Sequence, residues 1–205
     1  MVPTPIFPLG LVHFPHVYLP LQVFEPRYRQ LTVDCLEGDR QFGVVLIERG
    51  SEVGGGDTRF DIGTMTSIVE AGFNELGLVR LDTVGVHRIR VVRWLDDDPY
   101  PVAETEELAP PRMGRPELDA LSAVERKVRQ ALAMLAELDE RATPFTIELD
   151  DDPARALFQL AAIAPIGPMD QQRLLSTVEP LELLGILDGY LDDELGVLAS
   201  RLSGN

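Results

Sequence analysis

Cysteine, lysine and histidine are nearly missing from this chain. Among 205 residues there is one cysteine, Cys35, one lysine, Lys127, and three histidines, His13, His16 and His87. A single cysteine excludes an internal disulfide and any cysteine-based zinc site. Cys35 is expected on the first helix as a small buried hydrophobe. No apolar run reaches membrane-spanning length, and no basic stretch followed by an apolar one opens the chain. The expectation is a soluble, cytoplasmic protein with no membrane partner. A G-x-x-x-x-G-K-[ST] phosphate loop is absent, because the only lysine follows Glu125-Arg126. ATP hydrolysis by that device is therefore excluded for these residues. A Ser–Lys dyad needs a desolvated, neutral lysine, whereas Lys127 sits on a helix among Glu125, Arg126 and Arg129 and is expected as a solvated ammonium.

Positive charge is scarce as well. Eighteen basic residues face 34 acidic ones, for a net charge of −16. Carboxylates gather at Asp96-Asp97-Asp98, Glu104-Glu106-Glu107, Glu148–Asp152 and Asp192-Asp193-Glu194. Such a surface repels polyanions and argues against a nucleic-acid partner. The one concentration of cations is Arg80, Arg88, Arg90 and Arg93. It either receives an acidic peptide or neutralises the chain's own carboxylates, and the second is the commoner fate.

What the chain has in quantity is proline and apolar residues, 16 prolines and 45% hydrophobic, which suits a globular protein rich in turns. Pro8, Pro15 and Pro20 interrupt short apolar runs, a pattern of bent strands at a sheet rim. Phe24-Glu25-Pro26-Arg27-Tyr28 then starts a helix, with Glu25 serving free backbone N–H groups and Arg27 anchoring to a carbonyl or carboxylate. Phe42–Glu48 reads as a strand buried on both faces. Residues 50–57 read as a glycine-rich loop, and strands are expected near 59–70, 76–84, 86–95 and 101–107, with a turn at 74–77.

Beyond the proline-rich stretch 109–116 the period becomes helical. Leu121, Val124, Val128, Ala131, Leu135 and Leu138 mark one face of a helix over about 116–140. Asp152 and Pro153 open a second helix to about 164, a third runs to about 176, and Ser176 or Thr177 caps a fourth over 179–199. The fold class is α+β, with a barrel of about six to seven strands plus one helix over 1–110 and a bundle of about four helices over 111–205.

The segment Phe14, Pro15, Leu19, Pro20, Leu21, Val23, Phe24, Glu25, Arg27 and Tyr28 resembles the opening motif of the Lon protease N-terminal, substrate-recognition domain. The likeness continues through Asp34, Phe42-Gly43-Val44-Val45-Leu46-Ile47 and Gly85–Val91, and more loosely into Asp170–Leu175. It implies a PUA-like barrel and a stand-alone Lon-type domain without the ATPase and protease. The implied function is a non-catalytic module that captures unfolded or specific protein substrates, as an adaptor for a separate ATP-dependent protease. No cofactor and no metal are implied. Within the motif, Phe14, Pro15, Leu19, Pro20, Phe24, Glu25, Arg27, Tyr28, Phe42 and Gly43 are expected to hold the fold together.

Exposed strand edges and an apolar groove between barrel and bundle are where extended chains are expected to dock, with Trp94, Tyr100, Arg88, Arg90 and Phe73 as contact candidates. Two other classes stay open here. One is a metal-dependent hydrolase using Asp96–Asp98, although consecutive carboxylates on extended chain point in alternate directions. The other is RNA binding through the barrel, which the net charge opposes. His13 and His16 are two potential metal ligands on a turn with no third histidine nearby, so a turn role is expected for both. His87 is expected as a polar barrel position. The seam over 121–138 packs within the chain or against a second copy.

Overall fold

The structure, a computed structural model, describes residues 3–50, 56, 58–73, 79–138, 144 and 146–204. The expected turn at 74–77, and the 50–57 loop apart from Gly50 and Gly56, lie outside these residues. The chain divides into two compact units, Met1–Pro110 and Pro111–Asn205.

Among the described residues the first unit holds six strands and one helix: β1 (Pro3–Leu9), β2 (Tyr18–Val23), α1 (Pro26–Glu37), β3 (Gln41–Arg49), β4 (Thr58–Phe73), β5 (Val79–Trp94) and β6 (Val102–Glu107). The strand order is β2-β5-β4-β3-β1-β6, and β5 also pairs with β6, so five strands close into a ring. Closure removes the edges that an open sheet would expose. β2 stands outside this ring, paired antiparallel with the first half of β5 from Tyr18↔Val84 to Val23↔Val79.

Side chains alternate across the ring, as strand geometry requires. Ile6, Val45, Ile89, Val91 and Ala103 form one cluster drawn from ring strands alone. The other cluster carries Phe7, Leu9, Leu21, Val23, Phe42, Val44 and Leu81 together with Tyr28, Leu31 and Cys35 of α1. Phe42–Leu46 is buried without a break because β3 faces both clusters. Gly43 faces the first, where a Cβ would stand 2.6 Å from Ile6 Cδ1 and 2.7 Å from Ile89 Cδ1.

Two strands were expected on either side of Gly85, yet β5 runs through it unbroken. The glycine serves the neighbouring turn instead. Its bare α-carbon lies against the Phe14 carbonyl, its N–H donates to Val17 O at 3.0 Å, and its carbonyl accepts from His16 N at 2.8 Å. His16 turns the chain in the left-handed region at φ 62°. His13 is buried beside it, with its carbonyl accepting a hydrogen bond from Thr64 Oγ1.

The second unit consists, among the described residues, of α2 (Arg115–Glu137), α3 (Pro153–Ile163), α4 (Pro168–Ser176) and α5 (Pro180–Ser203). The stripe Leu121, Val124, Val128, Ala131 and Leu135 is buried, and α2 packs chiefly on α5. Asp152 caps α3 as its residue type predicts, its carboxylate accepting Ala154 N at 2.9 Å. α5 departs from expectation. Its N-cap is Glu179, without a side-chain bond, while Thr177 ends α4 and donates its hydroxyl to Arg173 O.

Candidate functional site: a groove beside an open strand edge

Strand alternation shapes this site. Leu21 and Val23 of β2 turn into the core and Gln22 turns out, so the next position, Phe24, faces solvent. Phe24 is 55% exposed. Leu11, two residues past the end of β1, is 38% exposed. Between them runs a groove of about 200 Å³ lined by Phe7, Leu9, Leu11, Pro20, Leu21, Gln22, Val23, Phe24, Glu25 and Tyr28. Its floor is rigid, because Phe7 and Tyr28 stack at 4.2 Å with rings 13° apart. Arg27 lies over the other side of Tyr28, 4.5 Å from the ring centre.

Among the described residues Glu25 is the only charged one lining the groove, and Arg27 Nε reaches its carboxylate at 3.1 Å. The expected cap is therefore not made by the Glu25 side chain. Its backbone carbonyl accepts Arg29 N instead, and Pro26 takes the first helical position. The side chain is spent on Arg27, which leaves the groove apolar in character.

The other face of β2 is polar. Tyr18 is 53% exposed, and its hydroxyl donates to Asp82, which also binds Arg80 Nη2 at 3.2 Å. Arg90 pairs with Glu106 at 2.8 Å and Arg93 with Glu104 at 2.6 Å, across the β5–β6 ladder. Three of the four clustered arginines thus neutralise the chain's own carboxylates. The fourth, Arg88, is buried, and its guanidinium donates to Ala109 O at 3.3 Å. Burial lowers its pKa from the usual arginine value.

The sequence profile of a family described as the ATP-dependent protease La (LON) substrate-binding domain matches residues 3–192. The chain belongs to this family. Lon protease of Escherichia coli (strain K12) is 26% identical over an alignment of 209 residues, covering 96% of this chain and 25% of that protein. Lon protease of Dictyoglomus thermophilum is likewise 26% identical, again with 25% of its length covered. The chain therefore spans about a quarter of the relatives it matches. Among solved structures, a Lon N-terminal domain protein from Xanthomonas campestris superposes with a TM-score of 0.67 at 24% identity, over 93% of this chain and 99% of that one. The N-terminal domain of a Mycobacterium avium complex Lon protease does so with the same TM-score at 15% identity. Both likenesses establish the Lon N-terminal fold.

Within this Lon-type domain the motif residues divide in two. Phe14, Pro15 and Phe42 are buried and Leu19 is half-buried, whereas Pro20, Phe24, Glu25 and the buried Tyr28 meet along the groove. Of the contact candidates, Trp94, Tyr100, Arg88 and Arg90 are not among the residues that line the groove. Trp94 is half-buried, donates Nε1–H to Asp61 Oδ1 at 3.1 Å and carries Arg59 5.0 Å from its ring centre. Tyr100 is buried and donates to Asp34 Oδ2 at 2.6 Å, and burial with this bond raises its pKa. Phe73 ends β4 opposite Val79; its side chain lies outside the described residues. The groove itself was missed, although the phase Leu21-in, Gln22-out, Val23-in already aims Phe24 outward.

The remaining reactive types sit in quiet surroundings. Cys35 is buried, donates to Gln41 O and has its thiol pushed up to about 12 by burial and the charges of Asp39 and Asp34. Lys127 reaches Asp188 at 2.7 Å and Asp192 at 2.6 Å, and these carboxylates hold its pKa above the ordinary value. Among the described residues, no group of three or more His, Cys, Asp or Glu side chains is placed to hold a metal ion, and no helix is long and apolar enough to cross a membrane.

Proposed function

We propose that this chain is a non-catalytic, protein-binding module that takes unfolded or otherwise extended segments of other proteins into the groove beside β2. The observation that carries the reading is the exposed apolar pair Leu11 and Phe24, set over a rigid Phe7–Tyr28 floor in a domain of a substrate-binding family. Burying such side chains against a ligand supplies the favourable free energy, and a groove almost free of charge admits an apolar segment without desolvating ions. Delivery of the captured chain to an ATP-dependent protease, as an adaptor in the cytoplasm, is the role that the Lon relatives suggest. The Lys127 ammonium, held charged by two carboxylates, supports a reading without Ser–Lys chemistry. The net charge of −16 supports protein rather than nucleic acid as the partner.

Fluorescence anisotropy with a labelled, permanently unfolded polypeptide and its folded counterpart tests the reading. The unfolded form is expected to bind with little dependence on salt, and the folded form not to bind. Phe24→Ser or Leu11→Ser is expected to weaken binding by about tenfold or more, because each removes most of one buried apolar side chain. Absence of binding, or affinities unchanged in both variants, would overturn the proposal.

A further inference from the structure

The hydrogen bond from Gly85 N to Val17 O fixes the phase of the β2 ladder. In an antiparallel pair, successive residues turn their backbone groups alternately toward the partner and away from it. Leu19, Leu21 and Val23 therefore address β5, while Tyr18, Pro20 and Gln22 address the opposite edge. Among the described residues no strand pairs with that edge. It presents three carbonyls but only two N–H donors, from Tyr18 and Gln22, because proline has none. The missing donor falls in the middle of the edge, and the apolar groove runs alongside it.

We propose that the captured segment docks as an added β-strand on this edge, and that Pro20 is the residue that sets its affinity threshold. The inference rests on the groove being the capture site. Backbone pairing is open to any extended sequence, so a full edge would hold polar and apolar chains alike. Removing the central donor weakens that shared contribution, so that retention depends on a large side chain entering the groove. The occupant is an uncharged, extended polypeptide with a leucine- or phenylalanine-sized residue. Pro20 and Gln22 carry no charge, and the one lining carboxylate, Glu25, is already paired with Arg27. Proline in the middle of an open edge also blunts pairing between copies of the chain.

The test uses the full chain and two labelled ten-residue peptides, one alternating leucine with threonine, the other alternating serine with threonine. The leucine peptide is expected to bind at least tenfold more tightly. Pro20→Ala restores a donor and is expected to tighten both peptides by one common factor, between about twofold and tenfold, the range for one added hydrogen bond. Gln22→Pro removes a second outward donor without touching the β5 ladder, and is expected to weaken both by a similar factor. If Pro20→Ala self-associates in sedimentation and the leucine peptide dissolves the dimer, strand pairing on this edge is likewise supported. Unchanged affinities in both proline variants, with loss of binding in Phe24→Ser, would overturn strand addition and leave the groove standing. No effect of Phe24→Ser would overturn the groove itself.

Discussion

At the scale of single residues, His13 is the clearest case of a side chain chosen for one protonation state. It is buried, its Nε2 has no hydrogen-bond partner among the described residues, and desolvation lowers its pKa to about 4. The unfolded chain returns it to about 6.5. Between these values the unfolded state binds the proton and the folded state does not, so stability falls as pH falls from about 6.5 to 4. Above 6.5 the ring is neutral in both states and nothing is lost. The whole effect corresponds to about 3 kcal/mol at the acid end. Urea midpoints at pH 7 and pH 4.5 are expected to differ more for the natural chain than for His13→Leu. Equal differences would assign the acid sensitivity to carboxylates alone. Sequence could place His13 in a turn, but its burial follows from Thr64, 51 residues away, coming to its carbonyl.

At the scale of elements, what was legible followed local pattern and what was not followed distant contact. The α2 stripe, the Asp152 cap and the doubly buried β3 are readable because period and residue type decide them. The β5 strand was not, since glycine within a strand suggests a break and only the Phe14–His16 turn reveals why Gly85 is tolerated there. Glu25 has the residue type and place to serve free N–H groups at the helix start, but Arg27 two residues on competes for it. Gly85 and Gly43 give contrasting expectations. A methyl group at Gly85 meets the Phe14 backbone, which cannot swing aside, so Gly85→Ala is expected to cost about 3 kcal/mol, at the upper end for overpacking. At Gly43 the obstacles are the tips of Ile6 and Ile89, which can change rotamer, and Gly43→Ala is expected to cost about 1 kcal/mol. Urea unfolding of the two variants checks the order. Equal costs would mean that the turn yields as readily as an isoleucine methyl.

At the scale of the molecule, the barrel unit contains everything its own closure needs. Its ring is completed by β5–β6 pairing, and both apolar clusters draw only on residues before 104. The last ties are local too, since Leu108 N donates to Arg88 O at 3.0 Å and the buried Arg88 guanidinium to Ala109 O. A chain of about this length can bury a sufficient core by itself. We therefore expect residues 1–110, produced alone, to unfold cooperatively in urea. Ending the chain at Glu104 instead removes the Arg90–Glu106 pair and the carbonyl that receives Arg88, leaving a buried cation to be satisfied otherwise, and is expected to abolish the transition. If the groove is the capture site, the 1–110 fragment also keeps the affinity of the whole chain for the leucine peptide and the same gain from Pro20→Ala. A folded fragment that no longer binds would move the ligand surface onto residues beyond 110. A fragment with no cooperative transition would show that the barrel depends on the helices that follow it.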